Sequence, residues 1–165
     1  MLQIAETMAG RLIKLLAENR FSIALAESCT AGLVGGLLAR SPGASAVFWG
    51  AFVTYTIEAK QKMLGINAEM LEKYHAASRE CACAMAESAR SRANSTIALS
   101  VTGIAGPQGD GSDIPVGTVW IAGAYSGVPT RARLCRFTGG RNKIRAKAVA
   151  AALKFGLELT HNLVK

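Results

Sequence analysis

The spacing of apolar residues along the chain predicts an alternation of helices and strands. The first segment, Leu2 to Asn19, has apolar residues three or four positions apart, which is the period of an amphipathic helix. Phe21 to Ala26 is a short apolar run, and a polar turn separates it from another stretch of helical periodicity that ends at Arg40. The chain is therefore predicted to begin with a helix and to continue as strand, tight turn and helix.

The rest of the chain divides in the same way, because helical periodicity and capping residues alternate with β-branched and aromatic runs. The predicted helices span Ile57 to Leu64, Ala68 to Tyr74, Ser78 to Ala93 and Lys143 to Leu163. The predicted strands span Ala46 to Tyr55, Thr96 to Val101, Val116 to Tyr125 and Arg131 to Phe137. Asn142 is expected to cap the last helix, and Ser126 to Pro129 to join the last two strands in an antiparallel hairpin.

This order of elements predicts an α/β fold. The length of 165 residues suits a single domain, and we expect three layers, α/β/α, around a mixed, mainly parallel sheet with a late antiparallel hairpin. Ligands of such sheets bind beyond the carboxyl ends of the strands. Three segments are expected at this edge: Glu27 to Gly32, Tyr55 to Lys60, and the loop that opens at Thr102.

The formal net charge is +8, and much of the excess lies between Arg131 and Lys147, which contain seven basic residues and no acidic one. Such a segment attracts nucleic acid, a membrane surface or a small phosphorylated ligand. Aromatic residues make up only 6% of the chain, so nucleic acid is not expected. No apolar run is long enough to span a bilayer, and the first residues lack the basic region of a signal peptide. We therefore expect no membrane partner and a cytoplasmic location.

The cysteine and histidine content argues against a metal centre. The four cysteines form no C-x-x-C pair, and there are only two histidines. The H-E-x-x-H, Walker A and G-x-G-x-x-G motifs do not occur. We expect buried, reduced thiols, no metal site and no cofactor.

The turn after the first predicted strand suggests nucleophilic catalysis. Ser28 is expected on a sharp strand-to-helix turn, where the following amides stabilise an oxyanion. A lysine accepts the serine proton if burial lowers its pKa, and Lys60 is the candidate, with Tyr55 placed to relay a proton or to fix the amine. The alternatives are a helix cap for Ser28 or Thr30, a surface lysine and a core tyrosine. Cys29 is a rival nucleophile, since a helix N-terminus lowers the pKa of a thiol.

Four segments together carry a family resemblance. They are AESCTAG at Ala26 to Gly32, FVTYTIEAK at Phe52 to Lys60, VTGIAGPQG at Val101 to Gly109 and PVGTVWIA at Pro115 to Ala122. In this order they closely resemble the C-terminal domain family of the competence/damage-inducible protein CinA, over nearly the whole chain. Stand-alone members of this family include nicotinamide-mononucleotide amidases. The resemblance therefore implies hydrolysis of the carboxamide of nicotinamide mononucleotide, without a metal or cofactor.

The resemblance also assigns roles to residues of this chain. It implies that Ser28 is the nucleophile and Lys60 the general base, and Tyr55 matches the tyrosine grouped with them. The substrate-binding residues that we expect are Cys29 and Thr30, through amides that hold the oxyanion, and Thr102, Gly103 and Arg141, through the resemblance. A small pyridine nucleotide is the implied partner, and a homodimer the implied assembly.

Two positions depart from the family pattern. Ala31 stands where many members have a second glycine, and Gly140 stands where an aspartate usually precedes the residue matched by Arg141. Loss of that aspartate affects how Arg141 is oriented. The alternative function is a non-catalytic nucleotide-binding or protein-interaction module linked to competence or DNA-damage responses.

Five other side chains are expected to be structural or solvated. Glu27 is interpreted as a solvated acid at a strand end, with the alternative that it hydrogen-bonds the turn or the substrate. Asp110 and Asp113 are interpreted as turn formers, with the alternative that they face a pyridinium charge. Trp49 and Trp120 are expected in the core rather than on a stacking surface.

Overall fold

The computed structural model describes residues 2–164 and has six helices and five strands in that range. The helices are α1 (Leu2–Glu18), α2 (Leu33–Ala39), α3 (Ile57–Leu64), α4 (Ala68–Tyr74), α5 (Arg79–Ala93) and α6 (Arg141–Leu163), with a 3₁₀ turn at Ala44–Ala46. The strands are β1 (Ile23–Glu27), β2 (Phe48–Val53), β3 (Ile97–Gly103), β4 (Thr118–Tyr125) and β5 (Val128–Arg136). No helix within residues 2–164 combines the length and apolarity needed to cross a bilayer.

The five strands form one mixed sheet in the order β2-β1-β3-β4-β5. The β1 strand pairs in parallel with β2 and β3, and β4 pairs antiparallel with β3 and β5. Four strands therefore run in one direction and only β4 is reversed, which confirms the predicted α/β class. Glu27 lies in register with Val53 and with Val101, so that the carboxyl ends of the three parallel strands meet at one edge.

Helices cover both faces of the sheet, as the three-layer prediction requires. Ile23 and Leu25 of β1 pack into the core shared with α1, α2 and α6. Ala24 and Ala26 point to the opposite face and pack into the core shared with α3, α4 and α5. Small side chains on that face let α5 lie close to the sheet, because alanines of α5 and β4 meet directly.

Some local predictions are wrong. The α2 helix begins after Gly32, and neither Ser28 nor Thr30 caps it. Gly140, with no side-chain cap bond, precedes α6, so Asn142 lies inside that helix. The hairpin turn comprises only residues 126 and 127, because β5 already begins at Val128. By contrast, α3, α4 and the predicted α5 with its Ser78 cap are confirmed.

Trp49 is not a core residue. It lies on β2, an edge strand of the sheet, is 55% exposed and stacks on Phe52 with ring centroids 5.3 Å apart. Trp120 is half-buried against the alanine cluster between α5 and β4. Of the four cysteines, all of which are free thiols, Cys29 and Cys81 are buried and the other two are half-buried.

Candidate active site

The turn between β1 and α2 places Ser28 at the carboxyl edge of the sheet. Its amide donates to the Val101 carbonyl oxygen at 2.9 Å, which continues the pairing of β1 with β3 by one residue. The chain then reverses through Ala31 and Gly32, whose φ angles are 51° and 88°. This reversal directs the Ser28 side chain into a cavity while the backbone turns back towards α2.

Lys60 lies directly beside Ser28. Thr56 caps α3, since its Oγ1 accepts the amide hydrogen of Ala59 at 3.0 Å, and Lys60 follows on the face of α3 that packs inward. The Lys60 side chain is buried, with 1% of its surface exposed. Its Nζ lies 2.9 Å from the Ser28 Oγ and donates to the Thr54 carbonyl oxygen, also at 2.9 Å. The two segments singled out in the sequence therefore meet through these two side chains.

The surroundings of Lys60 favour its neutral form. Burial lowers the pKa of Lys60, and the weaker influence of the Cys81 and Cys29 thiols acts in the opposite direction. Within residues 2–164 the Lys60 amine forms no ion pair with a carboxylate that would restore the charged form. A buried neutral amine in contact with a hydroxyl is able to accept its proton.

Cys29 does not have the environment of a reactive thiol. Its side chain is buried, and burial raises the pKa of the Cys29 thiol to about 11, although its own amide and Lys60 act in the opposite direction. At neutral pH the thiol is therefore protonated. This environment favours the Ser28 hydroxyl over its neighbour as the nucleophile.

Glu27 is buried, so its interpretation as a solvated acid is wrong, and the alternative that it hydrogen-bonds the turn is confirmed. Only 1% of its surface is exposed. Its carboxylate accepts the amide hydrogens of Gly32 at 3.0 Å, Val34 at 3.2 Å and Gly35 at 2.8 Å. Glu27 thus caps α2 from the strand that precedes it, and the helix N-terminus favours its negative charge. The sequence does contain a signal for this role. Glu27 lies shortly before a helix whose N-cap residue, Gly32, has no side chain that could cap it.

Arg145 of α6 holds the same turn from the other side. Its Nε and Nη2 donate to the carbonyl oxygens of Cys29, at 3.0 Å, and Thr30, at 3.2 Å. In the described part of the chain, the amides of these two turn residues donate to no protein oxygen. Of the two, only Cys29 lines the cavity beside Ser28, so its amide is the one placed to stabilise an oxyanion, whereas Thr30 has no exposed surface. The sequence gives no sign of this arginine beyond its place in the basic segment.

One cavity of about 490 Å³ lies at the carboxyl edge of the sheet. It brings together all the predicted site residues except Thr30, whose side chain is fully buried outside it. The predicted residues that line the cavity are Ser28, Cys29, Tyr55, Lys60, Thr102, Gly103 and Arg141. The loop from β3 to β4 and the end of α4 complete the walls. Among residues 2–164, no three His, Cys, Asp or Glu side chains are grouped so as to hold a metal ion.

Arg141 is the first residue of α6 and reaches into this cavity. Its Nη1 donates to the Gly106 carbonyl oxygen at 2.7 Å, and its Nη2 donates to the Tyr55 hydroxyl at 2.5 Å. Tyr55 is half-exposed, and its hydroxyl contacts Arg141 rather than Lys60 or Ser28. A guanidinium group at the start of a 23-residue helix is well placed to bind an anion.

Thr102 and Gly103 shape the floor of the cavity. The Thr102 Oγ1 donates to the Ala76 carbonyl oxygen at 2.7 Å, which joins β3 to the segment after α4. A Cβ on Gly103 would clash with the Thr118 carbonyl oxygen and would lie 2.7 Å from the Val119 Cα. Close approach of β4 therefore requires glycine at this position.

A family model described as the CinA C-terminal domain matches residues 5–160. The chain belongs to the CinA C-terminal domain family. A CinA-like protein of Geobacter metallireducens is 43% identical over 148 residues, which are 90% of this chain and 36% of that protein. The chain spans about a third of the length of the curated relatives it matches.

Solved structures of this family share the CinA C-terminal fold. The crystal structure of a competence/damage-inducible protein from Agrobacterium tumefaciens is 38% identical, with a TM-score of 0.91 over 94% of this chain and 95% of that one. A CinA superfamily protein from Escherichia coli is 32% identical, with a TM-score of 0.91 over 94% and 90% of the two chains. The resemblance carried by the four sequence segments is thus confirmed.

Proposed function

We propose that this chain is an amidase that converts nicotinamide mononucleotide to nicotinate mononucleotide and ammonia. The observation that carries the proposal is the 2.9 Å contact between the Lys60 Nζ and the Ser28 Oγ inside a cavity. A serine with a buried lysine as its base is one of the known arrangements for acyl transfer. The family resemblance supplies the substrate, whose carboxamide is the bond to be cleaved.

The mechanism is acyl transfer in two halves. Neutral Lys60 takes the Ser28 proton as the Oγ attacks the amide carbon, and the amide of Cys29 stabilises the oxyanion. The protonated Lys60 then gives its proton to the departing nitrogen, so that ammonia leaves and an ester to Ser28 remains. Water attacks this ester with Lys60 as base, and the proton returns to the Ser28 Oγ as nicotinate mononucleotide is released.

Arg141 is proposed to bind the phosphate of the substrate. Its guanidinium lies in the cavity and the α6 N-terminus adds a partial positive charge there. The cavity of about 490 Å³ is within the usual range for sites that hold small ligands. The basic residues around Arg141 would raise the local concentration of an anionic substrate.

The test is ammonia release from nicotinamide mononucleotide by purified protein in the presence of a chelator, with the product identified by mass spectrometry. We expect Ser28→Ala and Lys60→Ala to lose turnover. Lys62→Ala is the matched control, because Lys62 lies on the same helix but is exposed and paired with Glu58. Loss in all three variants, or in none, would contradict the Ser-Lys assignment.

Cys29→Ala separates the two possible nucleophiles in the same assay. Because the thiol is buried and its pKa is raised to about 11, we expect this variant to keep most of its activity. Activity that survives Ser28→Ala but disappears in Cys29→Ala would reverse the assignment. Stabilisation by nicotinamide mononucleotide without any product would favour the non-catalytic binding module instead.

A further inference from the structure

The cavity carries one negative charge that the proposed mechanism does not use. Among residues 2–164, Asp110 is the only carboxylate that lines it. Asp110 and Asp113 belong to the same loop and are both exposed, but Asp113 does not line the cavity. Glu27 lies beneath the turn, where its carboxylate is committed to the α2 amides. The structure thus separates two loop acids that the sequence does not distinguish.

The loop holds Asp110 in an ionised and oriented state. The Ser112 hydroxyl and amide donate to its Oδ1, at 2.6 Å and 3.1 Å. Partial burial alone would raise the pKa of Asp110, but these hydrogen bonds, its own amide and the nearby His75 hold the pKa below its usual range. Within the described residues its Oδ2 accepts no hydrogen bond, so one carboxylate oxygen remains available to a ligand.

Asp110 and Arg141 reach the cavity from different elements, Asp110 from the loop between β3 and β4 and Arg141 from the start of α6. Arg141 enters from α6, on one face of the sheet, whereas His75 ends α4, on the opposite face. Asp110 lies within electrostatic range of His75. His75 is fixed on the wall by its amide, which donates to the Leu71 carbonyl oxygen at 2.9 Å, and by its carbonyl oxygen, which accepts from the Ser78 hydroxyl at 2.8 Å.

We propose that Asp110 determines substrate specificity by recognising a positive charge on the ring that bears the carboxamide. The inference rests on the proposed function, in which the substrate carries a cationic pyridinium ring and an anionic phosphate. The cavity presents charges of the opposite signs, with Arg141 for the phosphate and Asp110 for the ring. A neutral ring would gain nothing from the carboxylate, whereas a cationic ring replaces part of its lost hydration by this contact.

The experiment compares two substrates that differ in ring charge. Nicotinamide mononucleotide has a cationic ring, and its reduced dihydropyridine form has the same carboxamide, ribose and phosphate with a neutral ring. We expect Asp110→Asn to raise KM for the cationic substrate about three- to fivefold, the upper range for a charge pair at an exposed site, and to leave kcat nearly unchanged. The KM for the neutral substrate should change by less than about twofold.

Asp113→Asn is the matched control, because it removes a charge from the same loop without changing the cavity lining. It should leave the preference between the two substrates unchanged. Equal effects of Asp110→Asn on both substrates, or an unchanged preference, would overturn the inference while leaving the amidase proposal intact. Absence of turnover of nicotinamide mononucleotide by the wild-type protein would contradict the proposed function and the inference together.

Discussion

The Glu27 carboxylate accepts the amide hydrogen of Gly35 at 2.8 Å and so ties the end of β1 to the first turn of α2. The space around this contact is tight, because a Cβ on Gly35 would lie 3.3 Å from Ala51 and 3.4 Å from the carboxylate itself. The same carboxylate binds the amide of Gly32. The turn that carries Ser28 is therefore fixed by a buried acid on one side and by Arg145 on the other.

Glu27→Ala should destabilise the protein because it leaves three amides at the start of α2 without an acceptor, two of which are buried. We expect a loss of about 2–4 kcal/mol in the free energy of unfolding, together with reduced amidase activity, since the turn is no longer held. Glu27→Gln keeps one oxygen acceptor and should lose less. Urea unfolding followed by circular dichroism measures the change.

Glu58→Ala is the control for this prediction. Glu58 is exposed and forms only an i,i+4 pair with Lys62. Its removal should change the unfolding free energy by no more than about 0.5 kcal/mol. A Glu27→Ala effect as small as that of Glu58→Ala would show that water replaces the carboxylate at the helix start.

The elements that could be predicted from sequence are those with local signals. The α3 helix lies between Thr56, whose side chain caps its start, and Gly65, whose positive φ ends it. Threonine and glycine are typical residues at these two positions, so both ends of the helix could be predicted from residue type. Ser78 marks the start of α5 in the same way. The segments of Ser28 and Lys60 follow β1 and β2, which are parallel neighbours in the sheet. Parallel pairing, which the alternation of helices and strands predicts, therefore brings both segments to the same edge.

The features that sequence analysis missed depend on contacts between distant parts of the chain. Glu27 is indistinguishable from a solvated acid until α2 turns back towards it. Arg145 contacts a turn that is more than a hundred residues earlier in the sequence, and no sequence periodicity predicts that contact. The segment around Trp49 has the apolar, aromatic composition of a core strand, but only the strand order shows that β2 lies at the edge of the sheet.

The lowered pKa of Lys60 should make stability depend on pH. The unfolded chain has a lysine of ordinary pKa, about 10.4, whereas burial lowers the pKa of Lys60 in the folded protein. Between these two pKa values the unfolded state binds more protons than the folded state, so the free energy of unfolding rises with pH. Lys60→Met removes this contribution while keeping a side chain of similar length.

Chemical unfolding of both proteins at several pH values tests this prediction. We expect the wild-type protein to gain stability relative to Lys60→Met as the pH rises from about 8 to about 10. Lys62→Met should follow the wild type, because Lys62 is exposed. A difference between wild type and Lys60→Met that stays constant over this range would show that Lys60 keeps an ordinary pKa.

Ala31→Gly should stabilise the protein. Ala31 has a φ of 51°, in the left-handed region, and its side chain is exposed, so the substitution removes few contacts. Relief of the backbone strain is offset in part by the greater freedom of glycine in the unfolded chain. We expect a gain of about 0.5–1 kcal/mol in the free energy of unfolding.

A second alanine-to-glycine substitution separates the relief of strain at Ala31 from the destabilisation that glycine generally causes. Ala151 lies inside α6 and is half-buried, and Ala151→Gly should cost about 1 kcal/mol because it weakens a helix. Thermal unfolding of the two variants should therefore shift in opposite directions. A loss of stability in Ala31→Gly would show that the turn tolerates the alanine without strain.

Removal of the Tyr55 hydroxyl tests whether Tyr55 acts in proton transfer or in substrate binding. It contacts the Arg141 Nη2 at 2.5 Å, whereas the Lys60 Nζ is bound to Ser28 and Thr54. Tyr55→Phe should therefore loosen the guanidinium that is proposed to hold the phosphate, and raise KM for nicotinamide mononucleotide about three- to tenfold. The value of kcat should change by less than about twofold, because the Ser28–Lys60 contact does not involve the phenol.

Arg141→Lys provides the comparison for Tyr55→Phe. A lysine keeps the positive charge but cannot donate to the Gly106 carbonyl oxygen and the Tyr55 hydroxyl with the fixed geometry of a guanidinium. We expect its KM to rise as well, and Tyr55→Phe to add little in the double variant, because both changes break the same contact. A fall in kcat of about a hundredfold or more in Tyr55→Phe, with KM unchanged, would instead place the phenol in the proton path between Ser28 and Lys60.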